Sequence, residues 1–277
     1  MSSPLPSLRT PAVAGAFYPA APAAVAAEAA RLVAADPDAP PPAPAIAVVS
    51  PHAGWRYSGA LAGRMLARVA VPERVLVLAP NHTGLGVRAS LWPDGAWRLP
   101  GLEVPIDDGF GHLLLDEATL LGADRAAHEE EHAIEVLVPL LAARQPALRL
   151  AAVVLAGLSF GECEALGAGI ARAVARADGP TLIVASSDMN HYLPDDETRA
   201  IDEKALAPLA ALDPRGLWDA VRAHGITMCG YIPTTVALLA ARALGATRAT
   251  VVGHTTSADA GGDRDRVVGY AAVTVEA

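Results

Sequence analysis

The stretch Arg74-Val75-Leu76-Val77-Leu78-Ala79-Pro80-Asn81-His82 decides the fold class. A short, continuous apolar run is the mark of a strand buried on both faces, as parallel strands are, whereas a strand with one wet face alternates. The same pattern recurs in Ala45-Ile46-Ala47-Val48-Val49-Ser50-Pro51-His52 and in Thr181-Leu182-Ile183-Val184-Ala185-Ser186-Ser187-Asp188-Met189-Asn190-His191. Each run is followed within a few residues by a histidine. Open α/β sheets place ligand sites just past the carboxyl ends of their strands. The three runs therefore predict a crevice that gathers His52, His82 and His191, with Asp188 beside the last.

Outward from these runs, helical and extended segments alternate. Ser58 is positioned to cap a helix running to Val69, which makes 45 to 79 a strand, helix, strand unit. A second unit has a strand at 149 to 156, a helix at about 161 to 177 and a strand at 181 to 186. Residues 195 to 244 read as mainly helical with a break at Gly225 to Pro233, and 249 to 253 and 267 to 275 read as closing strands. Residues 22 to 35 carry helix formers, and the Pro-rich stretch from Asp36 to Pro44 ends that helix in a surface loop. The expected architecture is a three-layer α/β/α fold with a central mixed, largely parallel sheet, in a single domain over residues 1 to 277.

The 277 residues are 52% apolar and 18% charged, enough for a sizeable core, and no apolar run approaches the roughly 18 residues of a membrane span. A formal charge of -9 without a basic block argues against nucleic acid or an anionic membrane as partner. Met1-Ser2-Ser3-Pro4-Leu5-Pro6 lacks the basic start and apolar stretch of a signal peptide, which leads us to expect a cytoplasmic protein. The two cysteines, Cys163 and Cys229, form no disulfide framework.

Three constellations compete for the chemistry. His128-Glu129-Glu130-Glu131-His132 satisfies the H-E-x-x-H spacing of a zinc protease, but Gly122 and Asp124 break the helical pattern upstream and the apolar stripe starts only after His132. Gly157-Leu158-Ser159-Phe160-Gly161 lies between a strand and a helix as a nucleophile elbow does, with Asp188 and His254 following in hydrolase order. This makes a serine hydrolase using Ser159 one alternative, although Ser159 and Glu162 also form a capping box that needs no chemistry. The third is the strand-end set, to which Cys229 is a candidate addition. It lies in a Gly- and Pro-punctuated loop ahead of a helix, where a thiolate near imidazoles is favoured and binds metal. Cys163, flanked by Glu162 and Glu164, is expected to be inert. Trp55, Arg56 and Tyr57, directly after His52, are candidate pocket walls, with Arg56 a possible clamp for a carboxylate.

At these residues the chain resembles the Memo family, whose bacterial members are called AmmeMemoRadiSam system protein B. The motifs run nearly end to end: Val13-Ala14-Gly15-Ala16-Phe17-Tyr18-Pro19, Ser50-Pro51-His52-Ala53-Gly54, Pro80-Asn81-His82, Glu131-His132-Ala133-Ile134-Glu135, Ser186 to His191, Cys229-Gly230, and Val267-Val268-Gly269-Tyr270-Ala271-Ala272. The resemblance implies a fold like that of class III extradiol dioxygenases, non-heme iron enzymes that cleave catechol-type rings. It implies His52, His82 and Cys229 as metal ligands, Asp188 and His191 as acid/base or orienting groups beside the metal, and His132 and Glu135 near the same pocket in substrate-binding or supporting roles. Two imidazoles and a thiolate suit Fe(II), Cu or Zn, so the ligands alone do not name the metal, and it is the resemblance to iron dioxygenases that implies Fe(II) first. The family name implies AMMECR-type and radical SAM protein partners, with a small or peptide-borne substrate, possibly aromatic. The expectation is a metal-dependent, dioxygenase-like oxidoreductase; the alternative is a non-catalytic metal-binding scaffold on a vestigial dioxygenase fold.

Overall fold

A computed structural model describes residues 7–34 and 41–277. The start Met1 to Pro6 and most of the Pro-rich stretch, 35 to 40, lie outside the described residues. Twelve strands occur among those described: β1 (Leu8–Arg9), β2 (Ala47–Ser50), β3 (Arg74–Pro80), β4 (Ala89–Leu91), β5 (Ala96–Leu99), β6 (Leu102–Pro105), β7 (Gly122–Ala123), β8 (Arg149–Leu155), β9 (Thr181–Ser186), β10 (His191–Leu193), β11 (Arg248–Thr256) and β12 (Val267–Glu276). The helices are α1 (Pro22–Leu32), α2 (Ala60–Ala67), α3 (Asp108–Glu117), α4 (Ala126–Glu129), α5 (His132–Glu135), α6 (Val138–Arg144), α7 (Phe160–Arg176), α8 (Asp195–Ala210), α9 (Pro214–His224) and α10 (Tyr231–Ala243).

The main sheet runs β10-β12-β2-β9-β3-β8-β4-β7, with β11 paired along the other edge of β12. Its centre, β2-β9-β3-β8, is parallel throughout. The flanks make the sheet mixed, as expected. β12 runs antiparallel to β2, β10 and β11, and β4 runs antiparallel to β8 but parallel to β7, so parallel and antiparallel pairs both occur outside the core. A second sheet, β1-β5-β6, was not expected from the sequence, because strands of two to four residues carry no periodic signal.

Side-chain alternation divides the core between the two faces of the sheet. Leu76, Leu78, Ile183 and Ala185 pack on one face with residues of α3, α7, α9 and α10, while Val75, Val77, Val48 and Val184 pack on the other with residues of α1, α2 and α6. The second helix starts differently from the sequence reading. A π-helical turn, Trp55–Gly59, precedes α2, and the Ser58 hydroxyl donates back to the Ala53 carbonyl (3.0 Å) instead of capping. The capping box at Ser159 and Glu162 is present and opens α7. Pro214 starts α9 and Gly225, at φ 61°, ends it, which is where a left-handed residue is needed.

The H-E-x-x-H spacing is broken in space. Its residues belong to two short helices, α4 and α5, and His128 is fully buried, with Nε2 2.9 Å from the Ser90 hydroxyl and the edges of Trp92 and Trp97 around it. Burial holds the His128 imidazole at about 4, below its ordinary 6.5. The folded protein thus binds this proton less readily than the unfolded chain, so stability falls as pH drops from about 6.5 toward about 4. At about pH 5 the contribution is about 2 kcal/mol. Urea unfolding at about pH 7 and about pH 5 should show a smaller acid loss in His128→Gln than in the parent; equal losses would contradict this assignment.

Candidate metal centre

In the register of the sheet, β2, β9 and β3 lie side by side, with Ser50 opposite Ser186 and Leu78 opposite Ala185. His52, His82 and Asp188 each follow just past the last residue of their strand, so neighbouring parallel strands deliver them to one end of the sheet. His132, at the first position of α5, enters from the side. Its ring stacks on His82 (centroids 4.6 Å apart) and meets His52 edge-on at 5.4 Å. The ligating nitrogens of His52, His82 and His132 lie within 4.8 Å of one another.

Hydrogen bonds fix the tautomers of two of these rings. The Ser186 hydroxyl donates to the Ala133 carbonyl (2.6 Å), so toward His52 Nδ1 (2.7 Å) it can only accept. The His52 proton is therefore on Nδ1, and the Nε2 lone pair faces Cys229 Sγ at 3.3 Å. In His82, Nδ1 donates to Glu131 Oε1 (2.9 Å) and the backbone N–H to Glu131 Oε2 (2.6 Å), which leaves its Nε2 free. His132 Nδ1 lies 3.3 Å from the same Oε1. Glu131 is fully buried. Burial alone would raise its carboxyl, but hydrogen bonds from His82 and from the Ala133 N–H outweigh it and hold the group below the usual carboxylate range. Sequence reasoning placed no role on Glu131. The signal was present only as an acidic residue at the N-cap of α5, where its side chain accepts from Ala133.

The remaining expected residues separate into two groups. Asp188 is buried with Oδ1 accepting the His52 N–H (2.8 Å), and desolvation pushes its carboxyl up to about 7 against those backbone bonds. The His191 Nδ1 donates to the Thr227 carbonyl (2.9 Å), leaving Nε2 free, and burial lowers its pKa. Cys229 is held by the Asp188 N–H, which donates to Sγ at 3.3 Å; burial, with the charge of Asp188 adding to it, pushes the thiol well up. These three adjoin the histidines. Glu135 does not: its carboxylate is occupied by Arg9, the Tyr18 hydroxyl (2.7 Å) and the N–H groups of Ala12 and Val13. Trp55 is buried with Nε1 donating to the Val136 carbonyl (2.8 Å), and Arg56 and Tyr57 are exposed on an outer groove. Phe17 is the wall that sequence reasoning missed, its ring tilted against His132 at 4.8 Å between centroids.

Gly230 makes the approach of Cys229 possible. A Cβ there would lie 2.3 Å from the Ser186 carbonyl oxygen and 2.5 Å from Ser187 Cβ. Gly230→Ala is expected to lift the loop, expose Cys229 to thiol reagents and cost about 1–3 kcal/mol. Cys163 serves as the internal control, because burial raises its thiol to about 12 and it should stay unlabelled in both proteins. Unchanged Cys229 labelling would contradict the packing argument.

The hydrolase arrangement is not assembled. The Ser159 hydroxyl is exposed and bonded to Glu162 (2.8 Å), and His254 is paired with Asp202 (2.8 Å), not with Asp188. A Memo-like protein family model matches residues 9–274. The chain belongs to the Memo family. Among curated Memo family relatives, a MEMO1 family protein of Methanopyrus kandleri is 36% identical over 280 residues, covering 96% of this chain and 98% of the relative. Another from Methanothermobacter thermautotrophicus is 33% identical (95% and 99% covered), and one from Sulfolobus acidocaldarius is 34% identical (96% and 98% covered). Among the described residues no helix is long and apolar enough to cross a membrane.

Proposed function

We propose that this Memo family chain is a metal-dependent oxidoreductase whose centre is held by His52, His82 and His132, with Cys229 completing the donor set. The observation that carries the reading is the convergence of three imidazole donors within 4.8 Å, two of them with the proton fixed on the outward nitrogen. Tetrahedral donors on one ion at about 2.1 Å lie about 3.4 Å apart, so the rings would draw together by about 1 Å to hold an ion. Three imidazoles with an adjoining thiol suit iron(II), copper or zinc alike, and iron(II) is proposed first on the resemblance to iron dioxygenases. Iron(II) held by these residues would supply redox and Lewis-acid chemistry.

The residues around it have their own parts. Asp188, with a carboxyl pushed to about 7, holds or releases a proton near neutral pH beside His52. His191 keeps Nε2 unoccupied and is oriented by Thr227, as an acid or base must be. Phe17 excludes water from the His132 face. The proposed substrate is small or peptide-borne, aromatic in the manner of ring-cleaving dioxygenase substrates, and the pathway is one shared with AMMECR-type and radical SAM proteins.

Metal analysis of protein purified without oxygen in the presence of ferrous iron tests this reading. Near one iron per chain is expected, followed by oxygen uptake with a catechol or indole substrate. A chain that retains no metal under any loading condition overturns the centre; full metal without turnover on such substrates would favour the scaffold alternative.

A further inference from the structure

The outer groove between the π-helical turn, α2 and the end of β11 encloses about 490 Å³ and is lined by Arg56, Tyr57, Arg64, Thr255 and Asp259. The side chains of Arg56, Arg64, Tyr57 and Thr255 have no hydrogen-bond or ion-pair partner among the described residues; Arg56 only stacks over the Tyr57 ring at 5.5 Å. The single acid of the lining is already neutralised, since both oxygens of Asp259 accept from Arg199 (2.9 and 2.8 Å). Two arginines and two hydroxyl-bearing residues therefore line one concavity with no acceptor of their own among the described residues.

Arg64 is placed there by the backbone. A Cβ on Gly253 would lie 2.4 Å from Arg64 Nη2, so the guanidinium rests directly on β11 where only a glycine leaves room. The strand is bulged between Val251 and Gly253, which re-aims the residues that follow. Gly253 and Thr255 share one strand face, so Arg64 is led across the first toward the second.

We infer that this groove binds a small dianionic oxyanion, the phosphoryl group of a phosphate monoester or free phosphate. A fork of planar donors plus hydroxyls matches the three acceptor oxygens of that group. The chain as a whole carries a formal charge of -9, so the attraction is local to this groove. The inference is independent of the metal centre.

Calorimetric titration with inorganic phosphate and with phenyl phosphate, at constant ionic strength, should give saturable binding, the tighter of the two identifying the source. Arg64→Gln and Arg56→Gln should each weaken it about tenfold or more. Gly253→Ala keeps every charge but displaces the Arg64 guanidinium, and should weaken binding comparably while barely changing the melting temperature. Arg68→Gln, exposed just past the end of α2, should leave the affinity unchanged. Unsaturable binding, or equal losses for Arg68→Gln and Arg64→Gln, would overturn the site.

Discussion

Glu131→Gln is expected to lower iron affinity about 10- to 100-fold with little change in fold, and Glu131→Ala to lose metal and stability together. The carboxylate accepts three N–H groups, two from His82 and one from Ala133, and its Oε1 also faces His132 Nδ1. A glutamine of the same shape has one acceptor oxygen where two are used. Its NH2 group must then either oppose the His82 backbone N–H, which displaces the loop that carries the ring, or oppose the ring Nδ1–H, which drives His82 toward the tautomer with its proton on the inward nitrogen. Alanine instead leaves buried donors unpaired, at about 1–3 kcal/mol each. The measurement is competition for ferrous iron against a chromophoric chelator, with urea unfolding of the metal-free protein alongside. If the parent binds iron and Glu131→Gln binds it equally, the positioning role of Glu131 is wrong. If the parent binds none, the centre itself is wrong.

The second large effect belongs to Arg9. Its guanidinium pairs with Glu135, and neither side chain has any exposed surface. It also donates to the carbonyls of His128 (3.2 Å) and Glu131 (2.6 Å) and lies over the Trp97 ring at 4.5 Å. Arg9→Met fills most of the volume but leaves Glu135 as a buried charge without its cation. A loss of about 3–5 kcal/mol is expected, because breaking one half of a buried pair costs more than the pair contributes. Arg9→Met combined with Glu135→Gln should recover part of it, since the stranded charge is gone and the amide oxygen still accepts from the Tyr18 hydroxyl and the Val13 N–H, while only the Ala12 N–H loses its acceptor. Urea unfolding of the single and double variants decides the matter. A double variant no more stable than Arg9→Met would show that the carbonyl and Trp97 contacts, not the charge, carry the effect.

The legible part of this protein is its parallel core. β2, β3, β8 and β9 are apolar runs because both of their faces are covered, and that same burial wrote His52, His82 and Asp188 into recognisable positions just beyond them. The third imidazole was harder to place by geometry. His132 arrives on a one-turn helix whose start depends on a long-range clamp, Arg9 holding the carbonyls of His128 and Glu131, and local sequence does not report such contacts. The family motif around Glu131 to Glu135 marked the region, but the two glutamates at its ends face different ways: Glu131 toward the histidines and Glu135 toward the N-terminal segment. Cys229 needed Gly230, whose importance comes from a neighbour on another strand.

The four donors come from loops far apart in the chain, after β2, after β3, at α5 and before α10. Closing such long segments is an entropic barrier, so the site should be among the last parts to assemble during refolding. The proposed ion, bound only in the finished protein, would then act as a clasp across all four loops. It should slow unfolding far more than it speeds folding, because contacts absent from the transition state act on the unfolding rate.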